Sequence, residues 1–380
     1  MRAKDNCSSG VSIDPRICMF SQRHLHRLVS RCVPYEFEDV ICEVDEVELL
    51  VPERSRSFVV CQGLANRLAR HIPVAGYLNP GLGKLRLKRD YELFIALCQM
   101  PRDLLSINAI EGWKQHCRTS VCWMDEIWIN ELHRCKGHLD ILSKFDYVVL
   151  NCIASVQAVQ DAVGRPCFYL PPGIDTIRFC PYPNPPFRCI YVYSMGRKSP
   201  VTHQALLKMV EQKQIFYVYD TINRMETFYP EQHRSLLANI TKRSRYFLVN
   251  AAKIDCKSET QGQGEIGFRF LEGAASGTVM IGEPPENEAF RKHLDWPDAV
   301  IHVPFDATNI ADILAELDSQ PKRLEEARRN NIVQSLLRHD WVHRFRAILD
   351  MVGLEPRPAL IERESHLKKL ADNVIKSTSS

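Results

Sequence analysis

Residues 264–283 read G-E-I-G-F-R-F-L-E-G-A-A-S-G-T-V-M-I-G-E. The order is a glycine-hinged loop, a short helix beginning near Phe268 to Glu272, a glycine stop at Gly277, and a buried strand over Thr278 to Ile281. Two carboxylates, Glu265 and Glu272, bracket the entry to the helix. A helix N-terminus presents unpaired N–H groups and partial positive charge, so anions dock there. Neighbouring carboxylates accept hydrogen bonds from vicinal hydroxyls. Phosphate on amides and diols on acids is the recognition problem set by a nucleotide sugar. The plainer reading is a loop-helix-strand unit with both glutamates in water. Five glycines in so short a span call for a backbone reason, and both readings stand at this point.

Outward from that stretch, the chain is 380 residues long, enough for two domains of ordinary size. With 45% hydrophobic and 25% charged residues it has the composition of a globular protein with ample core. A net charge of +3 and the absence of a basic run interleaved with aromatics argue against DNA or RNA as a partner. Met1 to Arg16 is polar and lacks the apolar core of a signal peptide. No apolar run reaches the length of a membrane span. The fourteen cysteines include no C-x-x-C pair. Cys98, Cys122 and Cys152 sit in apolar stretches, as small core residues do, so free thiols in a reducing cytoplasm are expected.

In the N-terminal half, residues to about Gly10 read as disordered, Arg16 to Phe20 as a first strand, and His24 to Val33 as a helix. Val40 to Val51, around V-D-E-V-E-L-L-V, fits a strand with its approach. Tyr91 to Cys98 (Y-E-L-F-I-A-L-C) is a buried segment whose pattern fits helix and strand alike. Thr119 to Met124 and Tyr147 to Cys152 read as strands, and Ser155 to Val163 as a helix capped by Ser155. Strands alternating with helices imply a parallel α/β sheet, which binds ligands at the carboxyl ends of its strands. Asp125 and Glu126 occupy such an end, in C-W-M-D-E-I-W, beside Trp123 and Trp128. Rings beside carboxylates suit sugars; capping of the next helix by Asp125 is the alternative.

Leu170 to Pro186 concentrates prolines and reads as a connector. Strands follow over Arg188 to Tyr193, Ile215 to Tyr219, Tyr246 to Val249 and Ala299 to Val303. Helices are expected over His233 to Ile240, Asn309 to Leu317, Glu325 to Leu337, from H-D-W-V-H-R-F, and over Ser365 to Ile375. The first of those strands runs into S-M-G-R-K-S-P-V-T-H, where Gly196 allows close approach and Arg197 offers a planar fork to a diphosphate. Lys242, Arg243 and Arg245 form either a phosphate-facing run or a solvated turn.

L-E-G-A-A-S-G, P-P-G-I-D-T-I-R-F and the Gly196-Arg197 pair resemble retaining glycosyltransferases of the GT-B fold, the "glycosyl transferases group 1" type. The resemblance implies an α/β architecture of two Rossmann-like domains facing across a cleft. The acceptor-side domain would span residues 1–170 and the donor domain 171–355, with a C-terminal helix, 356–380, packing back on the first. It implies transfer of a sugar from a UDP- or GDP-linked donor to an acceptor hydroxyl, with retention and with no metal or other cofactor. The acceptor would be a glycan, a lipid-linked compound or a small molecule. No acidic D-x-D triplet occurs in the chain.

By the same resemblance Arg197 and His203 meet the diphosphate, with Gly196 and Lys198 beside them. Glu272 meets the ribose, Glu265 the donor sugar, and Asp125 or Glu126 the acceptor. Gly267, Phe268 and Gly173 line the donor side. The pattern departs from the family at two places. Six residues, not seven, separate Glu265 from Glu272, so Gly264 holds the strict position of the first glutamate. His203 stands where the family has lysine. An epimerase or phosphorylase on the same fold, or a silent nucleotide-sugar-binding protein, are the rival readings. The expected location is cytoplasmic, with room for peripheral association with a membrane.

Overall fold

The computed structural model describes residues 14–220 and 225–377. The N-terminal residues expected to be disordered lie outside the described residues. Two parallel sheets organise the chain. The first has six strands in the order Val47–Leu50, Ile17–Phe20, Tyr91–Cys98, Cys117–Met124, Tyr147–Leu150, Cys167–Tyr169. The second has five, in the order Tyr217–Tyr219, Ile190–Ser194, Ser244–Leu248, Val279–Gly282, Ile301–His302. Every pairing within both sheets is parallel, for example Ile17 beside Leu93 and Tyr246 beside Val192.

The segment 91–98 is a central strand, and its neighbours explain why its pattern is ambiguous. Phe94, Ala96 and Cys98 pack into one core, while Leu93, Ile95 and Leu97 pack into another on the opposite face. A strand covered on both faces loses its polar alternation. The second sheet is likewise sandwiched, with Phe247 and Met280 on one side and Tyr246, Val279 and Ile281 on the other.

Two expected elements are corrected. His24 to Val33 is not one helix: it carries a left-handed His24 (φ 67°), Val29–Arg31 forms a short 3-10 turn, and only Cys32 and Val33 are α-helical. The amide of Val29 is instead committed to the carbonyl of Met225 in the second lobe. Residues 40–44 belong to the helix Cys32–Val44, whose Val33, Phe37, Val40, Ile41 and Val44 are buried at helical spacing. Only Val47–Leu50 of the expected strand is one. The helix Phe58–Ala69 has no counterpart in the sequence reading. Every cysteine among the described residues is a free thiol.

The last helix, Pro358–Ser377, returns to the first lobe. Its Leu360, Leu367, Ala371 and Val374 join the core built on Ile17, Met19 and Phe37. Arg16 donates to the carbonyl of Glu355 nearby (2.8 Å), and Arg357 pairs with Glu46 (2.7 Å). A buried network also ties the lobes together. Glu36, on the helix Cys32–Val44, accepts from Arg234 Nε (2.8 Å), the Asp175 amide (2.9 Å) and Trp341 Nε1 (3.1 Å). Arg363 joins Asp340 and Asp175 at 2.9 and 2.8 Å. These bonds hold the carboxyl ends of the two sheets toward one another.

Candidate active site

Between those strand ends lies a cavity of about 490 Å³. The first lobe supplies Gln99, Asp125 and Asn151, each the residue directly after a strand of its sheet. The second supplies Met195, Gly196 and Arg197 after the strand Ile190–Ser194, and Asn250 to Lys253 after Ser244–Leu248. Glu265 to Arg269, leading into the helix Phe268–Ala275, close that side. Facing strand ends are where open α/β sheets place their ligands.

The first-lobe wall offers acceptors and donors that lack protein partners. Asp125 is buried; its Oδ1 accepts from Trp123 Nε1 (2.7 Å), while Oδ2 has no partner. Burial pushes its carboxyl up to about 7, against the Trp123 bond and with help from the Glu126 charge. It does not cap the following turn. Asn151 is buried with both amide atoms unpaired. Buried polar atoms without partners are costly, and on a cavity wall they are available to whatever fills the cavity. Glu126 stands beside Lys253, whose ammonium lies 3.9 Å from it, 3.4 Å from Glu259 and 4.8 Å above the Trp128 ring.

The second-lobe wall is cationic. Arg197 is exposed and holds Asp255 Oδ1 and Cys256 Sγ, both at 2.9 Å. Gly196 donates its amide to both Asp220 oxygens at 3.1 Å. The helix Phe268–Ala275 opens at Gly267, and Arg269 of its first turn reaches the cavity. Gly277 ends that segment with φ +61°, the stop read in the sequence. Arg197, Lys253 and Arg269 stand on one wall with a helix N-terminus, an arrangement of the kind that receives anions, and each cation is paired with a carboxylate in this structure.

Glu265 lies on this wall but reaches across it. It accepts from the amides of Ile153 (3.2 Å) and Ala154 (3.4 Å) of the first lobe and from Gln263 Nε2 (2.8 Å). Burial raises its carboxyl, and those three bonds oppose the shift. Its one-residue displacement from the family position thus places it where it staples the lobes together.

Several expected site residues sit elsewhere. Glu272 is fully buried outside the cavity, with its oxygens on Arg234 and Arg269 rather than free for a ribose. Burial raises its carboxyl, but Arg269 and Arg234 together hold it below the usual range. His203 lies in a separate small pocket, its Nδ1 3.0 Å from Tyr217 Oη and its ring against Tyr219. Burial and then the Lys198 charge lower its proton affinity, and among the described residues it does not line the larger cavity with Arg197. Lys198 lines that same pocket and bonds Asp220 (3.0 Å). Gly173 has a packing reason: a Cβ would stand 2.4 Å from the Trp341 ring. Ser155 does not cap its helix but donates to the Ile127 carbonyl (2.6 Å). Lys242, Arg243 and Arg245 are engaged by the Arg178 carbonyl, Asn239 and Asp318. Gly267 and Phe268 line the cavity.

Gln99, Asn151, Lys253 and Arg269 were missed. Gln99 follows a segment whose pattern fits helix and strand alike, Asn151 falls inside the expected strand Tyr147 to Cys152, and Lys253 (φ 55°) and Arg269 carry no local signal.

Residues 212–350 match a family described as glycosyl transferase-like. No curated protein matches the chain. Among solved structures, Anabaena HepE in complex with UDP and glucose is similar with TM-score 0.52 at 12% identity, over 89% of this chain and 99% of that one. An alpha-glucosyltransferase in complex with UDP and a 13-mer DNA is similar with TM-score 0.51 at 11% identity, over 89% and 99%. The fold is GT-B. The GT-B cleft is the cavity just described, and the glycosyl transferase-like segment covers its second-lobe wall from Asn250 to Arg269. The presence of DNA on one GT-B neighbour lends no support to the expected absence of a nucleic-acid partner.

Proposed function

We propose that the protein transfers a sugar from a uridine-diphosphate donor to an acceptor hydroxyl, with retention and without a metal ion. The carrying observation is the opposition of the two cleft walls. Arg197, Lys253, Arg269 and the amides at Gly267–Phe268 face Asp125 and Asn151, whose free polar atoms suit hydroxyls. The glycosyl transferase-like match and the UDP named with both neighbours support the donor class.

In this reading the bond from the sugar's anomeric carbon to the diphosphate breaks while the acceptor oxygen bonds to the same face. The departing diphosphate takes the acceptor's proton. The three cations and helix amides stabilise the charge that accumulates on the leaving group. Asp125, protonated below about pH 7, accepts and donates one hydrogen bond each and so orients a hydroxyl. Glu265 holds the walls at their working separation.

The test is incubation of the full chain with UDP- and GDP-hexoses in EDTA, followed by proton NMR. Expected are acceptor-dependent UDP release and a product with the donor's anomeric configuration. Epimerised free sugar without acceptor would replace transfer by epimerisation. UDP binding without turnover on any acceptor would make the chain a binding protein.

A further inference from the structure

The helix Phe58–Ala69 buries a narrow apolar stripe and carries a second set of apolar side chains on its outer face. Its polar Gln62 and Asn66 are turned inward, onto His26 Nε2 (3.3 Å) and His138 Nε2 (2.9 Å), while Phe58, Ala65 and Ala69 are buried. Its large aliphatics point out: Val60 is 75% exposed and Leu64 59%. The next turn continues the patch with Val74, 72% exposed, Tyr77, Ile72 and Leu78. Contiguous apolar surface of this kind marks an interaction face.

The charge around it indicates the partner. From Pro52 to Arg89 the sequence carries eight lysines and arginines and one carboxylate, Glu53; Lys84 and Arg86 pair with Glu111, and Arg89 with Asp14, from outside this stretch. The chain as a whole carries 49 lysines and arginines against 46 acids. Arg56, Arg67 and Arg70 are exposed and have no carboxylate within salt-bridge distance among the described residues. At the far end of the patch the Lys144 ammonium, paired with Asp140 at 3.5 Å, sits 3.7 Å from the Tyr77 ring centre. Aliphatics and an interfacial tyrosine edged by unpaired arginines fit an anionic lipid surface. Twelve residues are too few to cross a bilayer, and among the described residues no helix is long and apolar enough to do so. Two copies meeting through this face would bring their arginine rows together, which disfavours self-association.

We propose that this face of the first lobe docks on anionic membrane, with the helix Phe58–Ala69 lying in the headgroup plane. Phe58 and Gln62 both contact His26, four residues before Ser30 in the cleft wall.

The test is flotation of the full chain with vesicles of phosphatidylcholine alone or mixed with phosphatidylglycerol, at low and physiological salt. Three proteins are compared: wild type, Val60→Asp/Leu64→Asp and Arg67→Ser/Arg70→Ser. Wild type is expected to float with the mixed vesicles and not with the neutral ones. The arginine pair should lower partitioning roughly 30-fold, and the apolar pair by at least as much. Circular dichroism melts check that each variant folds; should the apolar pair misfold, the arginine pair decides. Absence of wild-type flotation, or flotation unchanged in both variants, overturns the proposal. So does a wild-type dimer in sedimentation that both pairs dissolve, since a second copy would then cover the face.

Discussion

Two clusters of arginine and carboxylate flank the cleft, and they differ in burial. Behind it, Arg234 bridges Glu36 and Glu272 with side-chain exposures of 2%, 1% and 0%. At its mouth, Arg197 holds Asp255 with exposures of 46% and 37%. The first arginine is locked, because freeing it would strand two desolvated carboxylates. The second is exchangeable, because water can solvate Asp255 while Arg197 turns to a ligand. The same residue types thus build a locked tie between the lobes in one place and, in the proposed function, an exchangeable anion partner in the other.

The largest effect is expected at the buried cluster. Arg234→Met should cost about 3–5 kcal/mol of stability, read from urea unfolding at pH 7. A loss under about 1 kcal/mol would erase the distinction between the clusters. At the mouth, Arg197→Ala should leave stability within about 0.5 kcal/mol. It should nevertheless weaken UDP binding roughly 10- to 100-fold, through loss of a charge-assisted bond.

The first-lobe wall adds a pH test. Burial places the folded Asp125 carboxyl at about 7, above its unfolded value. The unfolded chain therefore releases this proton first, and stability is lost as pH rises from about 4 to about 7. Asp125→Asn removes that slope. Its urea midpoint relative to wild type should be higher at pH 8 than at pH 5; an equal offset at both would put the Asp125 carboxyl in its ordinary range. The smallest effect is expected at His203, which sits in its own pocket with Tyr217. His203→Ala should change UDP affinity by less than a factor of about 3, whereas a loss matching that of Arg197→Ala would return it to the diphosphate.

This contrast also separates what was legible in the sequence from what was not. Strand-and-helix alternation and the glycine-bounded helix of 268–275 were readable, because burial on both sheet faces and helix stops are local signals. Arg197 and Gly196 were readable because a glycine and a cation directly follow a strand. The fate of Glu272 was not, since its partner Arg234 is 38 residues away and Glu36, which shares that arginine, is on another lobe. Whether a carboxylate meets a ligand or an arginine is set by such long-range pairing. The helix Phe58–Ala69 is not legible because exposed Val59, Val60 and Leu64 stand beside buried Phe58, Ala65 and Ala69, which blurs the single apolar stripe by which surface helices are recognised.

The most direct measurement is calorimetric titration of UDP, in EDTA, into the wild-type chain and an Asp255→Asn variant. If Arg197 leaves Asp255 to hold the diphosphate, neutralising its present partner removes a competitor. Binding is then expected in both proteins and tighter in the variant. No binding to either, or weaker binding to Asp255→Asn, would contradict an exchangeable arginine at the mouth of a nucleotide cleft.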